Sequence, residues 1–319
     1  MNQSPEPVAL ARLVDQIRSA TAAGEALCLR GGGTKDFYGQ LPQGRVLDTR
    51  DYRGIVAYEP TELVITARCG TPLVELEAAL SGNGQWLPFE PPVFGEGATV
   101  GGMVAAGLSG PGRQSAGAVR DFVLGAAMID GHGRALNFGG QVMKNVAGYD
   151  VSRLLCGSLG ILGLIAEVSL KVLPSPAATA TLSMPLDRVE ALRLLNHWAG
   201  RPIPISASAW IGGTLALRLA GARAAVQAAV ETFGREHGAT LVDGEVQRFW
   251  AAVRNQTLPF FEVAAGGGSL WRLSVPSTAP VLELPGQELI EWGGALRWWR
   301  TDAPAEVVRA VAAGVGGHA

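Results

Sequence analysis

GEGATVGGMVAAGLSGPGR, residues 95–113, is the stretch on which the fold turns: seven glycines fall in nineteen residues, and no basic side chain precedes Arg113. Each glycine adds backbone entropy that folding must remove, so an ordinary core segment is a poor explanation. The pattern suits main chain that must approach something large and flat, or N–H groups that converge on an anion. Thr99 is a candidate N-cap, and residues 100–103, VGGM, read as the start of a helix whose free N–H groups point at a phosphate. Far upstream, residues 30–35, RGGGTK, follow the apolar run 26–29 and read as a strand entering a glycine loop. Such a loop forms a nest of N–H donors, to which Thr34 adds a hydroxyl and Lys35 a charge. Two separate anion-binding loops suggest a ligand with a pyrophosphate and a second extended portion, as a dinucleotide has. Taken singly, each loop reads equally as a tight turn in a chain that holds 43 glycines. Neither fits the familiar nucleotide patterns: GxxxxGK[ST] is absent, and Gly95-Glu-Gly97-Ala-Thr-Val100 has valine where GxGxxG needs its third glycine.

Composition narrows the classes. The 319 residues suggest two domains. An apolar content of 48% with 17% charged residues describes a folded globular chain. A net charge of −2 with no basic block argues against nucleic acid held by phosphate contacts. The first residues lack the basic-then-apolar pattern of a secretory signal, and no run reaches the ~18 apolar residues of a bilayer span. Cys28, Cys69 and Cys156 are scattered and odd in number, so a reducing cytosol is expected, without disulfides or CxxC metal ligation.

The periodicity predicts an amphipathic helix over 7–22 with Gly24 as its stop, then short strands at 26–30, 46–47, 54–58 and 63–68. A helix over 73–80 follows, with Thr71 as cap and Pro72 at its first position. Further on, strands over 121–129 and 135–138 flank an Asp130-Gly131 turn. The segment 144–150, KNVAGYD, leads to a short helix, the glycine loop 157–163, GSLGILG, and a strand over 164–172. Past Pro174-Ser-Pro176 the order becomes strand, helix, two strands about Gly212-Gly213, helix, strand. That is the order of a ferredoxin-like unit, an antiparallel sheet with helices on one face. A helix over 244–255, a strand over 270–275, a hairpin over 289–300 and a helix over 305–313 complete the chain. The expected fold class is α+β, with domains at 1–173 and 174–319.

The ordered set RGGGT (30–34), TVGG (99–102), RDxVLG (120–125), KNxxGYD (144–150) and GSLGILGLI (157–165) resembles the FAD-binding domain of vanillyl-alcohol-oxidase-type flavoproteins. More narrowly, YEPTELVITARCGTPLVELEAAL (58–80), KNVAGYDVSRLLCGSLG and LWRLSVP (270–276) resemble the smaller FAD-binding subunits of bacterial glycolate oxidases, over nearly the whole chain. The resemblance implies FAD, a second flavoprotein subunit and an iron–sulfur subunit as partners, and oxidation of glycolate or a related small 2-hydroxy acid. It places the chain in the cytoplasm, with at most peripheral attachment to the inner membrane through the complex. It puts Gly31, Gly32, Gly33 and Thr34, flanked by Arg30 and Lys35, on the pyrophosphate, with Thr99, Gly101 and Gly102 from the second loop. Gly107, Ser109 and Gly110 fall near the isoalloxazine ring or ribityl chain, and Gly163 and Ile165 near the adenine or ring edge. Arg113 either supplies a charge near the flavin or is a surface arginine. Lys35 reads first as a solvated lysine, and Asp121 as a structural carboxylate at a strand start.

Departures from the family limit how far function follows. Relatives that tether flavin do so through a histidine at the first loop or a cysteine in the second; here Asp36-Phe37-Tyr38-Gly39 follows the first loop and 95–113 contains neither residue, so the FAD is expected to be non-covalent. Relatives that oxidise 2-hydroxy acids themselves carry a histidine-rich site. This chain has only His132, His197, His237 and His318, without paired spacing, so no metal site and no catalytic base is assigned. Leu159 replaces a glutamate common in relatives. Trp198, Trp210, Trp250, Trp271, Trp292, Trp298 and Trp299 read as aromatic core before partner interface, and Arg272 and Arg297 as solvated surface arginines before carboxylate ligands. Three functions remain open: an FAD subunit of a heteromeric 2-hydroxy-acid dehydrogenase, a structural or electron-relay partner without its own turnover, and a stand-alone alcohol or sugar oxidase.

Overall fold

The computed structural model describes residues 5–140, 150–262 and 268–319. The chain divides into two compact units: Met1–Ser109 with Ala118–Ser175, and Gly110–Gly117 with Pro176–Ala319. The end of the glycine-rich stretch, Gly110–Arg113, thus clusters with the later part of the chain.

In the first unit, helix Pro5–Ala23 turns Leu13 and Ile17 inward onto Leu47, Tyr52, Ile129 and Leu164, and Gly24 ends it at φ +64°. Strand Leu27–Arg30 pairs in parallel with Arg45–Asp48. A five-stranded antiparallel sheet runs in the order Ile55–Glu59, Val64–Arg68, Leu164–Lys171, Val123–Ile129, Ala135–Gly139. Its central strand, Leu164–Lys171, is largely buried on both faces, as expected of a strand covered on both sides. Helix Leu73–Ser81 buries Leu73, Leu76 and Leu80.

Local expectations fail at two places here. Thr71 does not cap helix Leu73–Ser81; its hydroxyl bonds the Gly54 N–H and carbonyl at 2.9 and 3.1 Å, and Pro72 takes the N-cap position. The strand expected from residue 121 starts at Val123, because Val119–Asp121 forms a 3-10 turn closed by the Asp121 carboxylate on the Ala118 N–H at 2.8 Å. Of the segment 144–150, only Asp150 is described, as the N-cap of Val151–Leu154; the rest lies outside the described residues.

The second unit follows the ferredoxin-like order: Ala178–Pro185, helix Arg188–Ala199, Ile205–Ile211, Thr214–Gly221, helix Arg223–His237, Thr240–Leu241. Its sheet reads Thr240–Leu241, Ala178–Pro185, Thr214–Gly221, Ile205–Ile211, then Gln287–Glu291, Leu296–Thr301 and Ser269–Ser274, all antiparallel. Alternation decides which face is covered: Leu215, Leu217 and Leu219 are fully buried, and they meet Leu194, Leu195, Trp198 and Phe233 from both helices. Asp187 caps the first of those helices through the Glu190 N–H.

Five of the second unit's seven tryptophans, Trp198, Trp250, Trp292, Trp298 and Trp299, are buried, which is the core reading of their clustering. Arg297 overturns its expectation as a solvated side chain: it is fully buried, bonding Glu288 at 3.1 Å and the carbonyls of Gly294 and Ala279. Arg272 lies between two indoles, 5.4 Å from Trp292 and 5.9 Å from Trp298.

Trp198 is 2% exposed and edge-on to Phe233. Trp198→Ala should therefore remove about 3–5 kcal/mol from the unfolding free energy of the second unit. Denaturant unfolding measures it, and an unchanged midpoint would contradict this packing.

Candidate functional site

Strand Leu27–Arg30 delivers the chain into the first glycine loop. Gly33 sits at φ +72°, with the Arg30 guanidinium folded against it and ion-paired to Asp36. Asp36 closes the turn with its N–H on the Gly33 carbonyl at 3.2 Å. The amides of Gly31, Gly32, Gly33 and Thr34 donate to no acceptor among the described residues. Half-buried main-chain donors normally find partners. Four in succession form a nest suited to an anion, with the Thr34 hydroxyl beside them.

The second loop is riveted in place. Thr99, in extended conformation, caps helix Val100–Ala106 by accepting from the Gly102 N–H at 3.3 Å. The Val100 N–H donates to Thr71 O and the Gly101 N–H to Cys69 O, both at 2.9 Å. These three amides were expected to face a phosphate; the end of strand Val64–Arg68 and the turn after it consume two, and the cap consumes the third. The amides left without a protein acceptor are therefore those of the first loop, not those at this helix start.

The two loops touch through their missing side chains. Gly31 lies under Thr99, and a Cβ on Gly32 would collide with the Gly97 carbonyl. A Cβ on Gly101 would come 2.6 Å from that of Cys69. The third loop is pinned to the far end of the same helix, with the Gly157 N–H on Val104 O at 3.0 Å and the Leu159 N–H on Ala105 O at 2.9 Å. Gly107, at φ +65°, ends the helix so closely that a side chain would strike Gly157.

A cleft of about 60 Å³ opens where the three loops converge. Of the sequence-predicted residues, Arg30, Gly31, Gly101, Gly102, Gly163 and Ile165 line it. Gly32, Gly33 and Thr34 continue the first loop beyond it, and Thr99 is buried beneath Gly31. The volume admits part of a dinucleotide rather than the whole. Lys35 and Ser109 have other neighbours: the Lys35 ammonium is 5.6 Å from the Phe94 ring, and the Ser109 hydroxyl accepts from the Val119 N–H at 3.2 Å. Gly110 and Arg113 belong to the second unit, where the Gly110 carbonyl accepts from the Trp292 indole at 3.0 Å and Arg113 stacks 4.4 Å from that ring.

Sequence reasoning missed Thr49 and Cys69, which line the same cleft. Burial pushes the Cys69 thiol up to about 12, so it is protonated at neutral pH. Its place directly after an apolar strand, before Gly70, was the available signal. None of the four histidines lines the cleft. His132, His197 and His318 are exposed, and His237 packs on Trp198 and Phe233.

Residues 6–139 match the FAD binding domain family model. Over 307 residues, 96% of the chain, the sequence is 49% identical to glycolate oxidase subunit GlcE of Escherichia coli, of which it covers 85%. It is 31% identical over 181 residues to D-lactate dehydrogenase of Archaeoglobus fulgidus, and 30% identical over 193 residues to glycolate oxidase subunit GlcD of Bacillus subtilis. It spans only 40% and 41% of those two proteins. Among solved structures, alkyldihydroxyacetonephosphate synthase superposes with a TM-score of 0.70 at 15% identity, covering 97% of this chain and 71% of that one. That likeness establishes the fold, an α+β architecture shared with that protein.

The contact of Gly101 with Cys69 involves backbone and Cβ atoms that cannot rotate away. Gly101→Ala should cost about 1–3 kcal/mol by overpacking, despite alanine's better helix propensity. A thermal midpoint equal to or above that of the wild type would contradict the described seating of the helix.

Proposed function

The chain belongs to the family of glycolate oxidase subunit GlcE, FAD-binding proteins, and on that premise we propose that it is the FAD-carrying subunit of a heteromeric glycolate oxidase. Bound FAD supplies two-electron acceptor chemistry for oxidising the alcohol carbon of a 2-hydroxy acid. The residues here bind and orient it. Gly31, Gly32, Gly33 and Thr34 hold the diphosphate through their amides, with the Thr34 hydroxyl as a further donor. Arg30, tied to Asp36, braces the loop, and Gly101, Gly102, Gly163 and Ile165 wall the cleft. Gly107 and Ser109 are assigned to the ribityl chain and ring.

The observation that carries this reading is the run of four amides at 31–34 without a protein acceptor, beside a cleft walled by all three glycine loops. Attachment is non-covalent: the one thiol lining the cleft is Cys69, 2% exposed and held in its protonated, weakly nucleophilic form. The placement of the histidines favours a division of labour in which this subunit accepts or relays electrons and the proton-abstracting base is supplied elsewhere. The partners in this reading are a second flavoprotein subunit and an iron–sulfur subunit. Among the described residues no helix is long and apolar enough to cross a membrane. We place the complex in the cytoplasm, attached at most peripherally to the inner membrane.

Two measurements test this. Gly32→Ala drives a methyl group into the Gly97 carbonyl, so its FAD dissociation constant should rise at least about tenfold; an unaltered constant would remove the loop from the binding site. Mixed anaerobically with glycolate, the flavin of the isolated chain should stay oxidised and bleach once the partner subunits are added. Bleaching by the chain alone would assign turnover to this subunit.

A further inference from the structure

The second unit holds a pocket of about 510 Å³, bounded by the start of helix Arg188–Ala199, the hairpin turn at Gly212, the 3-10 turn Pro259–Phe261 and the start of strand Gln287–Glu291. That volume is in the range of small-molecule sites. Trp210 and Phe260 supply flat apolar walls, and Gly212 and Gly286 contribute no side chains at its edge.

The charges around it do not balance. Glu288, 3% exposed at its side chain, receives Arg297 on one oxygen at 3.1 Å and Arg188 on the other at 3.4 Å. Arg300 is held against the wall by three carbonyls, those of Phe260, Phe261 and Gly268, at 2.6, 2.7 and 3.3 Å. Two guanidinium groups, Arg188 and Arg297, thus face one carboxylate. Arg297 is fully buried and Arg300 is committed to backbone. Arg188 differs: its side chain is 32% exposed, it lines the pocket, and it makes one long hydrogen bond out of five available donors.

We propose that this pocket binds a small organic carboxylate with a planar apolar body, its carboxylate on the Arg188 guanidinium and its body against Trp210 and Phe260. A planar fork with free donors matches a carboxylate in bidentate fashion. The surplus positive charge favours an anion, and one available fork suits a monoanion better than a phosphate ester. Aromatic walls select a flat body over a hydrated one. The assignment does not depend on how the chain handles FAD.

Benzoate is the probe, titrated into the full-length chain by calorimetry, with benzamide as its uncharged counterpart. Benzoate should bind saturably and at least about tenfold more tightly than benzamide. Arg188→Gln should weaken benzoate at least about tenfold, with Arg188→Lys intermediate, while FAD content stays at the wild-type level. Absence of saturable benzoate binding, equal affinity for benzamide, or an unchanged affinity in Arg188→Gln would each overturn the proposal. The benzoate–benzamide comparison uses only the wild-type chain and stands whether or not the variants fold.

Discussion

The first unit depends on the approach of one main chain to another: Gly31 lies beneath Thr99, and Gly32 abuts the Gly97 carbonyl. Neither contact survives a Cβ, so glycine at these positions is required by protein packing before any ligand is considered. The consequence for binding is indirect. Held against the second loop, residues 31–34 run without a β-partner or helix to take up their amides, and those donors remain available. The more conspicuous feature, the helix starting at Val100, has its first three amides occupied by Thr71, Cys69 and Thr99. It works as an anchor for all three loops, the first through Thr99 and the third through Val104 and Ala105.

Much of this was legible in the sequence because it is governed by local rules. The ferredoxin-like order past Pro176 follows from spacing and turn residues alone. The three glycine loops announce themselves by composition. What stayed hidden depends on partners distant in the chain. Thr71 looks like a helix cap until Gly54 claims its hydroxyl. Arg297 looks solvated because its burial depends on the hairpin folding Glu288 and the Gly294 carbonyl back onto it, with Ala279 added from outside the hairpin. Residues 110–117 read as a continuation of the glycine window. Instead they are stitched into the second unit, with Ser115 on the Ser206 carbonyl, Gln114 accepting from Ser208 and Trp292 bonding Gly110.

The second unit distributes its arginines unusually. Arg297 is sunk in the core with a carboxylate, Arg300 is wrapped in backbone carbonyls, and Arg113 and Arg272 lie against indoles. Buried guanidinium groups tolerate such surroundings because the charge is delocalised and weakly hydrated. Among the described residues no imidazole lines the cleft at the glycine loops.

The central claim is that the main-chain amides of Gly31, Gly32, Gly33 and Thr34 grip the FAD diphosphate. Titrating FAD into isotopically labelled chain and following those four amide resonances tests it most directly. The account predicts that all four move downfield together and saturate with flavin. FAD binding that leaves them unmoved while other amides shift would contradict it.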